Sequence, residues 1–308
     1  MRLLFFGTPD FAVPSLQALL TGPDPVVGVV CQPDKPAGRG QHLSSPPVKD
    51  AAGAAGVPVL QPEKIRTAEF LAALRELAPE LIVVAAYGKI LPAAILEVPA
   101  HGCINVHASI LPRYRGAAPI QWAILRGEAV TGVTIMQMNE AMDAGDILLQ
   151  RTTPIGADET YGELQTRLAE IGALALTDAV GRLRLGTLER RPQNEADVTL
   201  APMLRKEDGR VDWWQPAAQL ARVVRAFNPW PSAYTLAAGR FLKIHRAHPS
   251  AEPAAGPPGR VAALDDGVRV ATGNGTLVLD EVQLEGRKRM PAAEFARGGS
   301  VKAGAVLG

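Results

Sequence analysis

Two cysteines, Cys31 and Cys103, are all the thiol chemistry that the 308 residues contain. Each sits inside an apolar run, so a disulfide framework is excluded and two reduced, buried thiols of a cytosolic protein are expected. Long hydrophobic runs are missing too. Nothing approaches the roughly 20 apolar residues of a membrane helix, and one arginine followed by Leu3 to Phe6 before Gly7 and Pro9 is too short for a signal-peptide core. A soluble, cytoplasmic, monomeric chain without a membrane partner is the expectation. Metal spacing is also absent: His42, His101, His107, His245 and His248 fall at no ligand interval and the two cysteines lie 72 apart, so no metal is expected. GTPDFA at 7 to 12 lacks the G-x-G-x-x-G spacing of a dinucleotide site.

Net charge is nearly absent, since 32 basic residues face 31 acidic ones. That sum decides nothing about a polyanionic partner, but the distribution does. Met1 to Leu204 carries 17 basic and 21 acidic residues, whereas Arg205 to Gly308 carries 15 and 10, which gives −4 and +5. The length exceeds that of one ordinary domain and predicts two.

Short β-branched runs punctuate the first half: RLLFFG at 2 to 7, PVVGVVC at 25 to 31, VPVL at 57 to 60 and LIVVAAYG at 81 to 88. Runs of this kind suit strands buried on both faces of a parallel sheet. Helical spacing separates them at Phe11 to Leu20 and Thr67 to Leu77, and further strands are expected at Gly102 to His107, Val133 to Met138 and Asp146 to Arg151, before a long helix around Glu159 to Leu185. The reading is an α/β fold: a Rossmann-like, mostly parallel sheet in residues 1–186, a linker at 187–209 and a small C-terminal β-barrel, OB-like, at 210–308. The last domain opens with a helix at Pro216 to Ala226. Short strands follow at Arg240 to Ala247, Gly259 to Leu264, Val268 to Thr272 and Thr276 to Val282.

The sharpest feature is GCINVHASILPRYRGAAPIQWAILRGE, residues 102 to 128. It puts polar groups where a buried strand should have none. Asn105 and His107 are two apart, so on a strand they share a face, while Ile104 and Val106 share the other. The carboxyl end of a parallel strand is where open α/β sheets bind ligands. An amide and an imidazole there suit an oxyanion and a proton transfer. MDAGD at 142 to 146 offers a carboxylate from either Asp143 or Asp146 to fix that imidazole and keep it protonated. Taken singly, each is ordinary: a structural histidine, a strand-end asparagine, a turn.

With their flanks they are not ordinary. NVHASILPRYRGAAPIQWAI and GVTIMQMNEAMDAGDIL at 132 to 148 resemble the 10-formyltetrahydrofolate-dependent formyltransferases, as do FFGTPDFAVPSLQALL at 5 to 20, QPDKPAGRG at 32 to 40, VVAAYGKILP at 83 to 92 and VRAFNPWPSA at 224 to 233. That resemblance spans nearly the whole chain and implies a formyl donor, 10-formyltetrahydrofolate, with the methionyl end of initiator transfer RNA as acceptor. It implies a catalytic trio of Asn105, His107 and Asp143 in a direct amine attack, with no covalent enzyme intermediate. It also implies a folate pocket lined by Ser109, Ile110, Leu111 and Pro112, with the pterin against Tyr87, Gly88, Ile90 and Leu91. One position departs from the pattern: Ile110 stands where leucine is expected, a swap that conserves volume.

The connection at 32 to 49 is far longer than the usual 2 to 6 residues. Its glycines, Gly38 and Gly40, and its prolines are expected to resist regular structure, and Lys35, Arg39 and Lys49 make it basic against Asp34 alone. By resemblance it is the segment that meets the acceptor stem. Lys35 and Arg39, with Arg205 and Lys206 of the linker, are therefore the expected RNA contacts. Arg287, Lys288 and Arg289 form the densest basic cluster of the C-terminal domain, either a solvated face or a phosphate site. FNPWP at 227 to 231 reads as packing.

Rival readings remain open on sequence. A related enzyme could formylate a glycinamide nucleotide, against which stands the extra C-terminal domain, or an amino-sugar nucleotide, against which stands the AGRG loop. A non-catalytic RNA-binding or nucleotide-binding protein would have no need of Asn105 beside His107.

Overall fold

A computed structural model of the protein describes residues 1–37, 42–264, 267–299 and 301–308. Arg39, Gly38 and Gly40 lie outside the described residues. The chain divides into two compact units. The first comprises Met1–Pro119, Val130–Pro154 and Gln165–Ala201, and the second Ile120–Ala129, Ile155–Leu164 and Pro202–Gly308.

Chain order runs β1 (Leu3–Gly7), α1 (Val13–Leu20), β2 (Val26–Val30), β3 (Lys35–Ala37), β4 (His42–Ser44), α2 (Pro47–Ala54), β5 (Val59–Leu60), α3 (Ala68–Glu76), β6 (Leu81–Ala85), α4 (Ala93–Leu96) and β7 (Cys103–His107). Then come α5 (Pro119–Leu125), β8 (Val130–Gln137), β9 (Ile147–Pro154) and α6 (Tyr161–Arg184). Seven of these strands make one sheet in the order β5-β2-β1-β6-β7-β8-β9. The first five are parallel, and β8 and β9 are added antiparallel. β1 and β6 are buried at every residue, as their uninterrupted apolar runs require. Helix α3 starts where the Thr67 hydroxyl accepts from Phe70 N at 3.2 Å, and it buries Phe70 and Leu74. Strand order reverses between β1 and β6, so the loops after Gly7, Val30, Ala85 and His107 leave one carboxyl edge at a topological switch point.

Two stretches differ from their sequence reading. Within the long connection, Lys35–Ala37 and His42–Ser44 pair as a short antiparallel ribbon, so its prolines do not prevent regular structure there: Pro36 needs no ladder N–H on a two-stranded edge. Its base is also less basic than its composition, because Lys49 Nζ lies 2.8 Å from Asp34 Oδ2. Residues 187–201, expected in the linker, pack within the first unit. Arg191 bridges Ile147 and Leu200 bridges Arg115, while Arg115 N donates to Thr199 O (2.9 Å) and Ala201 N to Arg115 O (2.8 Å). These bonds go to loop backbone, so they leave no periodic trace in the sequence.

In the second unit α7 (Ala217–Ala226) buries Ala217, Leu220, Ala221 and Val224, one face at helical spacing. It packs on β10 (Ala233–Ala237), β11 (Arg240–Ser250), β12 (Val261–Ala263), β13 (Val268–Ala271) and β14 (Thr276–Leu284), antiparallel in the order β10-β11-β14-β13-β12, with β15 (Met290–Pro291) on β14 and α8 (Ala292–Arg297) after it. The sheet curls into a half-barrel. Its two end strands do not pair with each other among the described residues, and the last residues reach both: Ala305 O accepts from Val261 N (2.8 Å) and Gly308 N donates to Leu236 O (3.1 Å). Leu242, Leu279, Trp213 and Phe295 centre its core, where a leucine-to-alanine change costs about 2–5 kcal/mol. No helix among the described residues is long and apolar enough to cross a membrane.

Candidate active site

β7 is held on both sides, Asn105 lying opposite Val84 of β6 and Met136 of β8, and His107 opposite Thr134. Gly172 of α6 lies under Val106, so close that a Cβ there would come within 2.9 Å of Val106 Cγ1. That helix covers the face of Val106, and Asn105 and His107 take the opposite one. His107 is 5% exposed. Its Nε2 lies 3.0 Å from Tyr114 O, and a carbonyl only accepts, so Nε2 carries the hydrogen. Nδ1 faces Asp143 Oδ1 at 3.8 Å, beyond direct hydrogen-bond length. The Asn105 carboxamide is partly buried, and no described residue hydrogen-bonds it.

The Asp143 carboxylate is aimed rather than loose. Its Oδ2 accepts from Gly116 N at 2.8 Å, which turns Oδ1 toward His107. The residue has φ +51°, a left-handed conformation that aspartate tolerates better than most. Gly145 allows the turn to press on β8, since a Cβ there would meet Gln137 O at 1.8 Å. Asp146 takes part through its backbone, its carbonyl accepting from Gln137 N at 2.8 Å. Geometry thus separates two aspartates that the sequence left equivalent.

Of the expected folate residues, Ser109 and Leu111 have buried side chains engaged by the fold. Ser109 Oγ donates to Arg113 O at 2.6 Å, and Leu111 packs with Met136 and Ile147. Thr134 ties this turn down, donating to Ser109 O (2.7 Å) and accepting from Leu111 N (3.1 Å). Ile110 and Pro112 are partly buried. Tyr87 is fully buried edge-on to Phe6, its hydroxyl has no hydrogen-bond partner among the described residues, and burial pushes its phenol up to about 12. Its carbonyl accepts from Gln32 Nε2 at 2.9 Å. Gly88 has φ +81°, and a Cβ there would stand 2.5 Å from the same Gln32 nitrogen. Leu91 is core, whereas Ile90 is 71% exposed. Ile90 lines a cavity of about 520 Å³ together with Lys64, Arg66 and Lys89; none of Asn105, His107 and Asp143 lines it.

Of the expected RNA contacts, Arg39 lies outside the described residues. Lys35 is exposed and donates to Gln32 Oε1 at 2.6 Å, and Arg205 and Lys206 are exposed residues of the second unit. In the C-terminal cluster Arg289 pairs with Glu281, leaving Arg287 and Lys288 as its exposed remainder. Among the described residues no group of three or more His, Cys, Asp or Glu is placed to hold a metal.

Sequence reasoning missed Gln193. It was read as linker, yet its Nε2 donates to both Asp143 O and Gly145 O at 2.8 Å. It also missed Tyr114 O and Gly116 N, which act through backbone and carry no residue-type signal.

Comparison with known proteins puts this geometry in company. A family model described as formyl transferase matches residues 1–180, and one described as formyl transferase, C-terminal domain, matches 203–300. A methionyl-tRNA formyltransferase of Geobacter metallireducens is 49% identical over 309 aligned residues, covering 100% of this chain and 99% of that one. One from Desulfotalea psychrophila is 50% identical, covering 100% and 95%. Among solved structures, HypX from Aquifex aeolicus in complex with tetrahydrofolic acid superposes with a TM-score of 0.64 at 22% identity. That match covers 98% of this chain, which spans about half (48%) of HypX, and at that identity the likeness speaks for the fold.

Proposed function

The chain belongs to the formyl transferase family, and we propose that it transfers the formyl group of 10-formyltetrahydrofolate to the α-amino group of initiator methionyl-tRNA, giving N-formylmethionyl-tRNA. The observation that carries this reading is the pairing at the end of β7: an Asn105 carboxamide with no partner among the described residues beside a buried His107 whose ring is fixed by Tyr114 O and faces Asp143.

The chemistry asks for little more. An α-amine has a reference pKa near 7.7–8.0, so at neutral pH a useful fraction is already uncharged and no strong base is needed. Its nitrogen attacks the formyl carbon and the carbonyl oxygen becomes an oxyanion, which the Asn105 N–H meets by hydrogen bond and a protonated His107 stabilises by its charge, its Nε2–H remaining on Tyr114 O. The bond from that carbon to N10 then breaks, the amine proton passes to N10, and the formyl group stays on the new amide. Asp143, 3.8 Å from Nδ1, balances the imidazolium and, through it or an ordered water, assists that proton. The amide's donors, unengaged among the described residues, fit the formyl oxygen. The backbone at Tyr87 to Leu91 leaves the same sheet edge, and with the Ser109 to Pro112 turn it is our assignment for the folate.

We assign catalysis to residues 1–186 and RNA binding to the C-terminal domain, 210–308, whose charge excess favours a polyanion. Lys35, Arg39, Arg205 and Lys206 are the proposed RNA contacts. The enzyme works as a cytoplasmic monomer without membrane association. Incubation with 10-formyltetrahydrofolate and either methionyl-tRNA or an amino-sugar nucleotide tests the reading: formate should appear on the aminoacyl end of the RNA. Formate on the sugar, or on neither acceptor, refutes it.

A further inference from the structure

Asp143 is held in a left-handed conformation, φ +51°, at a modest cost that its surroundings offset. The surroundings come from the stretch 193–201. Gln193 uses every polar atom of its carboxamide: both N–H groups go to Asp143 O and Gly145 O, and Oε1 accepts from Arg115 Nε at 3.0 Å. Arg115 is 7% exposed, and its guanidinium ends on Glu195 at 2.7 and 3.2 Å. Farther along, Tyr114 N donates to Thr199 Oγ1 at 2.9 Å, and Arg115 is paired through its backbone to Thr199 and Ala201. Gly116 lies so close to Ala201 O that a Cβ would stand 2.6 Å from it.

One strap therefore grips both sources of His107's contacts. Residues 114–116 supply the carbonyl on Nε2 and the N–H on the Asp143 carboxylate, and the 143–145 turn supplies the carboxylate itself. Gln193 bonds to the two together.

We infer that Gln193 is a positioning residue for the reaction, locking the Asp143 turn to the Arg115 segment so that the carboxylate stays opposite His107. This rests on the role proposed above for Asp143. Gln193→Ala should lower kcat about tenfold to a hundredfold, the scale of a displacement of about 1 Å at a catalytic group, with KM for 10-formyltetrahydrofolate and for methionyl-tRNA within about twofold. In the Asp143→Asn background the same change should lower kcat less than about threefold, because the carboxylate it positions is already gone. Gln193→Glu keeps the size and the acceptor for Arg115 but sets oxygen against two carbonyls; it should behave as Gln193→Ala does and stands in for it should that variant not fold.

A loss that multiplies fully with Asp143→Asn would mean a general loosening of the fold and would overturn the inference. So would a Gln193 variant within about threefold of the parent, or a Glu195→Ala loss as large as that of Gln193→Ala, since Glu195 is 73% exposed and touches only the far end of Arg115. Were Asp143→Asn itself harmless, the role of Asp143 would fail first.

Discussion

β2 and β7 end on the same carboxyl edge of one sheet, and the chain beyond each is built differently. After β7, His107, Ser109, Leu111, Tyr114 and Gly116 are tied within ten residues to Thr134, Asp143 and Thr199, largely through backbone groups. After β2, the described part of the long connection has a three-residue ribbon, and its side-chain bonds gather at its base, where Asp34 receives Lys49 and Gln61, and Gln32 bonds Tyr87 O. Groups that must meet a developing charge within a fraction of an ångström are mounted on a paired strand and locked from several sides. A connection proposed to meet a large substrate needs reach more than rigidity, and a long loop supplies it.

If that division is right, the largest effects belong to β7. His107→Ala and Asn105→Ala should each lower kcat by about 10²–10³ while folate binding, read by fluorescence, stays near the parent, because both groups act on a charge present only in the transition state. Either variant retaining more than about a third of the turnover would end the comparison there. Next comes the turn: Asp143→Asn should lower kcat about tenfold to a hundredfold, and Asp146→Asn less than about threefold, since only Asp143 has its carboxylate seated against Gly116 N and toward His107. The reverse order, with both proteins folded, would reassign the carboxylate.

The first domain's strands were legible because burial on both faces forces β-branched runs, and Asn105 with His107 because two polar residues at strand spacing contradict such a run. Asp143 and Asp146 could not be told apart without the family resemblance, because the choice lies in a backbone N–H from Gly116. The strap at 187–201 stayed illegible for the same reason: its bonds run from Gln193, Thr199 and Ala201 to loop carbonyls and amides, which impose no period on the sequence. β10 went unread behind Pro229 and Pro231, its AYTLA run being short with alanine at both ends, and α5 went unread because Pro119 and Trp122 masked a single two-turn helix.

The third prediction sharpens the other side of the comparison. Arg39→Ala should lower kcat/KM for methionyl-tRNA about tenfold, the scale of one lost phosphate or base contact, and leave folate binding unchanged. Lys35→Ala should do less, because Lys35 is already engaged by Gln32. Equal losses on both substrates would make the connection a support for the pterin-side segment through Gln32 and Tyr87 O, and no separate arm.

The smallest effect is expected at the base of that connection. The Gln61 amide, then Lys49, hold the Asp34 carboxyl below the ordinary carboxylate range. A group whose folded pKa is depressed stabilises above its unfolded pKa, near 3.9 for aspartate, and loses that contribution as pH falls through the folded value. Both side chains are about one-third exposed, so water and salt screen most of the pairing. Asp34→Asn should therefore lower Tm by no more than about 3 °C between pH 5 and 8, by an amount constant across that window. The difference from the parent should shrink below about pH 4 as the parent's own carboxylate takes up its proton, and it should shrink at neutral pH when salt is raised. A difference that persisted unchanged into acid would mean that the side chain's shape, and not its charge, does the holding. A loss several times larger would show the connection anchored as firmly as the β7 edge, and the contrast between the two would be one of length alone.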